Sequence, residues 1–363
     1  MSGKNNGTDY NKLSGIIVVD KPAGWTSHDV VAKLRGALHV KRIGHGGTLD
    51  PMATGVLPVF VGRATGAVSF FESTDKEYIA GLRLGIVTDT QDITGNVLDS
   101  FDVNASDADL RRIIPAFLGP QKQIPPMYSA VKIGGKKLYQ LARRGVEIER
   151  PPRDIIIHSI ELLDIGESCR DYLLRISCSK GTYIRTLCND IGAALGCGGV
   201  MSSLRRTKAG VYTANDAHTL DEILASVASG VSTNISADNA VVSDNNTAVA
   251  GDGTADFGDN MVVTEDDAAA SGDSAAVACD NAVVSKVTKS LSSFFIPVDS
   301  LFSEYPAIIL DEETTKKCRN GMACRFTGSS DGIYRFYGPH NEFMLLADLE
   351  NGISRIIKTF FEV

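Results

Sequence analysis

Long apolar runs are missing from this sequence: no segment approaches the ~18 residues that a membrane-spanning helix needs. The amino terminus, Met1 to Asn11, is polar and lacks the apolar stretch of a secretory signal, so a cytoplasmic protein is expected. Cysteine is sparse and scattered. The seven thiols include no CxxC pair, which indicates neither a zinc site nor a disulfide framework and points to reduced thiols. No phosphate-binding P-loop, dinucleotide fingerprint or metal-ligand cluster is present, so no cofactor or metal is expected. Tryptophan occurs once, and an excess of basic charge is absent.

The net charge of −8 argues at first against a nucleic-acid partner, but its distribution reverses that impression. Between Ile223 and Ser293 there are ten acidic residues and two lysines, so this segment alone carries the −8 and the remainder is neutral. Residues 223–293 hold one aromatic, Phe257, and repeat Asp238-Asn-Ala-Val-Val-Ser243 as Asp280-Asn-Ala-Val-Val-Ser285. A segment so polar and aromatic-poor buries too little surface to offset its ordering entropy, and a disordered acidic insertion is expected. A partner-binding arm is the alternative.

What is present in abundance is glycine at one place. Gly44-His-Gly-Gly-Thr-Leu-Asp-Pro-Met-Ala-Thr-Gly55 puts four glycines, His45 and Asp50 into twelve residues, a poor composition for helix or strand. Pro51 pushes Asp50 away from helical angles, so a loop presenting Asp50 and His45 is expected, anchored by a strand over Val56 to Val61. Taken alone, the stretch also admits a glycine-rich turn whose aspartate caps a helix.

Around this loop the pattern predicts strands at Gly15–Asp20, Glu77–Leu84, Ile155–Leu163 and Tyr172–Cys178. It predicts helices at His28–Leu38 with Ser27 as N-cap, Ala64–Phe71, Ser106 to about Leu118 with Pro115 shortening it, Lys136–Arg144 and Thr182–Leu195. A further strand is expected around Val211. Asp89–Gly95 reads as a polar turn. Residues 122–153 hold eight basic residues against two acidic, with Tyr128 and Tyr139 among them. Phe294 restores apolar character, and 305–363 reads as short strands separated by turns, a small β-rich domain.

The motifs then align with a known family. Lys21-Pro-Ala-Gly-Trp-Thr-Ser-His-Asp29 and Gly44–Gly55 resemble the first two motifs of the bacterial tRNA pseudouridine-55 synthases, the TruB family. Asp75-Lys-Glu-Tyr78, Gln123-Ile-Pro-Pro-Met-Tyr-Ser-Ala-Val-Lys132, Cys178-Ser-Lys-Gly-Thr-Tyr-Ile-Arg-Thr186 and Leu204-Arg-Arg206 follow in the family's order. The resemblance covers about Leu13 to Leu220, with a weaker match from Phe294 onward.

It implies an α/β (α+β) pseudouridine synthase fold with a mixed, largely antiparallel sheet. The domains would be a tail at 1–12, a catalytic domain at 13–222, the insertion at 223–293, a return at 294–304 and a PUA-like RNA-binding domain at 305–363. Isomerising uridine to pseudouridine breaks the N1–C1′ bond and rejoins the base through C5 with no net redox change. A carboxylate beside the sugar meets that demand, as in glycosidases.

The resemblance gives Asp50 that role, Arg185 the task of pairing with it, and Tyr78 a place under the flipped uracil with its hydroxyl available for the C5 proton. Tyr183 and Leu204 line the pocket, and His45 fills the space left in the RNA loop. Lys21 is placed with the substrate contacts, and Lys132, Lys136, Lys137, Arg143 and Arg144 would hold phosphates. The implied partner is the T-arm stem-loop of tRNA, bound by a monomer without an obligate protein partner or membrane.

Overall fold

A computed structural model describes residues 13–166, 170–232 and 291–361. The chain opens with β1 (Gly15–Lys21), α1 (Ser27–Leu38), β2 (Ile43–His45) and β3 (Thr54–Val61). A 3-10 turn at Gly62–Ala67 leads into the single-turn helix α2 (Val68–Phe71), followed by β4 (Lys76–Leu84) and the hairpin β5 (Ile86–Thr88) and β6 (Val97–Ser100). Then come α3 (Asp107–Ile113), β7 (Gly119–Gln123), a second small hairpin of β8 (Lys132–Ile133) and β9 (Lys136–Lys137), and α4 (Leu138–Ala142). The long strands β10 (Arg153–Ile165) and β11 (Asp171–Cys178) precede α5 (Ile184–Ala194). β12 (Gly199–Ala209), β13 (Tyr212–Thr213), β14 (His218–Thr219) and α6 (Leu220–Ser232) complete the larger part.

These strands form one ten-stranded sheet in the order β14-β1-β3-β12-β4-β11-β10-β7, with β2 beside β3 and β13 beside β12. Only β1–β14 and β3–β12 pair in parallel; the rest are antiparallel, the mixed, largely antiparallel sheet expected. β1 and β3 read as unbroken apolar runs because both faces are covered. Ile17, Val19, Leu57 and Val59 point into the main core with α1 and α6, whereas Ile16, Val18, Val56 and Phe60 point into a second core on the reverse face.

That second core joins the C-terminal part to the sheet. Phe302, Leu346 and Phe360 pack there against Ala64, Ala67, Phe71 and Tyr212. The C-terminal sheet, β15 (Ala307–Ile309), β16 (Gly332–Tyr337), β17 (Phe343–Glu350) and β18 (Ile353–Thr359), runs in sequence order around its own core of Phe336, Met344, Leu345 and Leu349. The helix Glu312–Arg319, capped by Asp311, interrupts the expected run of strands.

Several expectations change. Thr26, not Ser27, caps α1, in a reciprocal box with Asp29. Lys136 and Lys137 belong to a strand. Gly134 and Gly135 both have positive φ (58° and 81°), which makes a two-residue hairpin loop, and only Leu138–Ala142 is helical. Leu204-Arg-Arg206 lies within β12 instead of leading into a later strand. The boundary at Ile223 also moves. α6 continues to Ser232 with Ile223 and Val227 buried, and Leu291 is buried in the same core. The rest of the expected insertion, 233–290, and the tail at 1–12 lie outside the described residues.

Candidate active site

The glycine-rich stretch is a loop between β2 and β3, and every backbone segment of it is tied down. Ser27, freed from capping, is buried under the loop and clamps Leu49 from both sides: the Leu49 N–H donates to Ser27 Oγ (2.9 Å) and Ser27 Oγ donates to the Leu49 carbonyl (3.3 Å). Lys21 is fully buried, and its three ammonium protons go to the carbonyls of Pro22 (2.8 Å), Trp25 (2.5 Å) and Pro51 (3.2 Å). The Gly24 N–H also donates to Pro51 O (2.8 Å). Residues on both sides of Asp50 are therefore fixed by the β1–α1 turn.

Glycine is required at two points of this loop. A Cβ on Gly46 would lie 2.3 Å from the Phe71 ring, and one on Gly55, at φ 99°, would lie 2.2 Å from the Arg206 carbonyl.

Asp50 faces Arg185, presented from the first turn of α5. Arg185 Nε lies 3.0 Å from Asp50 Oδ2 and Nη2 lies 3.3 Å from Oδ1, a fork-on-carboxylate arrangement. The arginine side chain is 6% exposed and the aspartate 35%, so the pair is closed behind and open toward solvent on the Asp50 side. The remaining guanidinium protons go to the carbonyls of Thr90 (3.0 Å) and Tyr128 (2.9 Å). Asp92 Oδ2 stands 3.7 Å behind it.

Asp92 is buried, and its Oδ1 accepts from Thr90 Oγ1, the Thr94 amide and Thr94 Oγ1, at 2.9, 3.0 and 2.6 Å. Burial pushes the Asp50 carboxyl above the ordinary aspartate range; Arg185 and Lys21 pull it down, and Asp92 adds to the rise. Arg185 thus opposes desolvation without overcoming it.

Tyr78 on β4 and Leu204 on β12, which pairs with Ala80, lie diagonally across the two strands within the main core, each 8% exposed. Burial raises the Tyr78 phenol, while hydrogen-bonded Arg206 lowers it. Tyr183 is half-buried just before α5, and the buried Gln123 amide brackets its backbone: Gln123 Oε1 accepts from the Tyr183 N–H (2.8 Å) and Nε2 donates to its carbonyl (3.0 Å). His45 packs edge-on to His28, with ring centroids 5.6 Å apart. Burial, with His28 and Arg206 nearby, pushes it down to about 4, so it is neutral at physiological pH.

Lys132, Lys136, Arg143 and Arg144 are exposed, and the half-buried Lys137 and Arg143 each lie 5.6 Å from the Tyr139 ring centroid. The segment's ion pairs use other residues, Lys122 with Asp154 and Arg150 with Glu147. Through the Tyr128 carbonyl, the basic segment begins directly on Arg185. Lys21 differs from its expected place among the substrate contacts, since its donors are all spent on the chain itself. Burial pushes its ammonium down to about 8, against the pull of Asp50.

The sequence reading did not single out Ser27, Asp92, Gln123 or Arg206 as functional. Asp92 lay in a stretch read only as a turn. Of the described residues, no group of three or more His, Cys, Asp or Glu is placed to hold a metal, and no helix is long and apolar enough to cross a membrane.

With the sheet, its order and the Asp50–Arg185 pair established, the comparisons define first a class. The fold is that of pseudouridine synthases: the chain superposes on a protein in "Crystal Structure of a Cbf5-Nop10-Gar1 Complex" with a TM-score of 0.61 at 22% identity, covering 99% of this chain and 91% of that one. A chain of "Structure of H/ACA RNP bound to a substrate RNA containing 2'-deoxyuridine" gives 0.59 at 20% identity, over 100% and 92%.

Sequence then defines the family. The TruB family pseudouridylate synthase N-terminal domain matches residues 35–184, and the tRNA pseudouridylate synthase B C-terminal domain matches 185–243. The chain is 50% identical over 213 residues to tRNA pseudouridine synthase B of Alkaliphilus oremlandii, covering 59% of this chain and 71% of that one. It is 34% identical over 353 residues to that of Clostridium kluyveri, covering 96% and 100%. The chain belongs to the TruB family of pseudouridylate synthases.

Proposed function

We propose that this chain converts uridine 55 in the T-loop of tRNA to pseudouridine, with Asp50 acting at the sugar. As a TruB-family enzyme it is an isomerase that turns uridine in tRNA into pseudouridine; the position and the residue roles are our reading. The observation that carries it is the Asp50–Arg185 pair, held from behind by Asp92 and two carbonyls and open to solvent only at the carboxylate.

A uridine leaving its stack costs a few kcal/mol. The neutral His45 ring is suited to filling the vacated space and Tyr78 to stacking beneath the extruded base, with Tyr183 and Leu204 beside it. Asp50 then meets C1′, as nucleophile or as the charge that stabilises its positive character while N1 departs. Arg185 orients the carboxylate without donating a proton. After the base has turned and joined through C5, the C5 proton passes to the Tyr78 oxygen. No electron is gained or lost overall, so the reaction requires no redox cofactor. Exposed Lys132, Lys136, Arg143 and Arg144, with half-buried Lys137, hold the RNA backbone, and the enzyme works in the cytoplasm as a monomer.

Asp50→Asn tests the reading. Turnover on a T-arm stem-loop falls by on the order of 10⁴-fold or more, the scale on which loss of a covalent-catalysis group is read, while RNA affinity is retained. Parent-like turnover of this variant refutes it. A guide-RNA-dependent enzyme predicts instead that the purified chain alone makes no product, and a folding chaperone predicts a function indifferent to Asp50.

A further inference from the structure

Among the described residues Arg206 is the largest side chain that is fully buried, and the reaction as set out above does not use it. It stands on β12 directly across from Tyr78 on β4, so the two side chains project from the same face of the sheet. Its guanidinium divides among three partners. Nε donates to the Val56 carbonyl (2.7 Å) at the start of β3, and Nη2 donates to the Gly47 carbonyl (3.2 Å) of the catalytic loop. The third group it acts on is the Tyr78 phenol, directly across the strands. Gly47 has φ 89°, a left-handed conformation that favours glycine, and Nη1 lies 3.4 Å from where a Cβ on it would sit, so the guanidinium lies in contact range of the loop.

A buried guanidinium is costly unless an opposite charge compensates it. Among the described residues, the acidic group that acts on it is the Tyr78 phenol. The other charged neighbours, Lys21, Lys76 and His45, are basic, and Arg206 pushes each of them down. The surroundings thus hold a fixed positive charge against one phenol oxygen and offer it no carboxylate.

We propose that Arg206 is a positioning residue that acts through Tyr78: it ties the phenol oxygen to the loop that carries Asp50 and supports that oxygen as the phenolate that receives the C5 proton. The inference rests on the reading of Tyr78 as proton acceptor. Tyr78 first releases its own proton to water. The phenolate oxygen then takes the proton from C5, the C5–H electron pair becomes the C5–C6 double bond, the C6–N1 double-bond pair moves to N1, and N1 takes a proton back from water, so that a neutral phenol and neutral pseudouridine result. Arg206 remains protonated throughout and touches no substrate atom.

The experiment uses the full chain, a T-arm stem-loop, and the same RNA carrying deuterium at C5 of the target uridine. Arg206→Gln slows turnover on the order of 10²-fold, the low end of what a positioned proton acceptor contributes, at near-parent RNA affinity. Deuterium slows the variant by a larger factor than it slows the parent. In the Tyr78→Phe background the same substitution changes turnover by less than about twofold, because the two residues act as one unit. An equal loss in both backgrounds, without an isotope effect, overturns the inference and leaves Arg206 as a brace for Gly47.

The outcomes also separate the two readings. Parent-like turnover of Tyr78→Phe removes Tyr78 as proton acceptor, and the inference with it. A Tyr78→Phe chain with strongly reduced but measurable turnover, combined with additive Arg206 losses, removes the inference alone. Should Arg206→Gln fail to fold, ¹⁵N NMR of the intact Arg206 side chain decides. Tyr78→Phe shifts an Nη signal while sparing Nε on Val56; unchanged Nη signals overturn the proposal.

Discussion

At the scale of single residues, the site is a contest between burial and pairing. In the role proposed for it Asp50 acts as a carboxylate, yet burial holds its carboxyl above the ordinary aspartate range despite Arg185. Turnover therefore falls, as pH is lowered, through a value above the ~3.9 of a free aspartate. Asp92→Asn removes a charge that raises Asp50 and moves this acid limb to lower pH, as a pH–rate profile of both chains reads directly.

The sign for stability is opposite to that of a salt-bridged surface aspartate. A folded-state pKa above the unfolded one means that ionised Asp50 subtracts from stability at neutral pH, and the deficit fades as pH falls through the folded value. Acid thus inactivates this group before it costs any folding energy. Lys21 is the complementary case. Lys21→Met removes a donor from three carbonyls, of which Pro51 O keeps the Gly24 N–H, and thermal or urea unfolding shows a loss of at least about 2 kcal/mol. In the sequence Lys21 looks like one more cation for RNA, because a lysine in a Pro-Gly turn carries no mark of burial. Its task becomes visible only when the Asp50 loop folds over it.

At the scale of elements, the basic segment shows both what is legible and what is not. Its charge excess is countable, but the helix expected over Lys136–Arg144 takes no account of the two glycines before it. With both at positive φ they close a two-residue hairpin, and the helix begins at Leu138. Lys132 and Lys137 consequently stand opposite each other across β8–β9, a local concentration of charge that a helix would have spread. Replacing Lys136 and Lys137 with alanine weakens T-arm binding and flattens its log–log salt slope by about 0.7–0.9 for each phosphate no longer neutralised. An unchanged slope in a titration from low to moderate salt shows that neither lysine holds a phosphate.

β1, β3, β4 and β11 are readable because continuous or alternating apolar residues leave few other solutions. Asp92 is not, since a buried carboxylate in a polar turn has the same composition as an exposed one.

At the scale of the whole molecule, the acidic segment divides differently from its composition. Ala225, Ser226 and Ser229 of α6 match the low-complexity stretch in residue type, so no composition window separates them; burial of Ile223 and Val227 does. Replacing 233–290 with a short linker keeps the protein soluble and active. Removing 223–293 takes Ile223, Val227 and Leu291 from the main core and yields insoluble protein. Expression yield and T-arm turnover of the two deletions distinguish these outcomes.

The sharing of β1 and β3 between two cores has a consequence for inheritance and engineering. Because Ile16, Val18, Val56 and Phe60 meet Phe302, Leu346 and Phe360 across the reverse face, the C-terminal sheet is not a detachable module. A catalytic fragment ending before Phe294 would present those side chains to water as a contiguous apolar surface of the kind that drives aggregation. Any exchange of the C-terminal domain between relatives must carry matching partners for Phe60 and Phe71. The two parts are bound to change together, as a lock changes with its key.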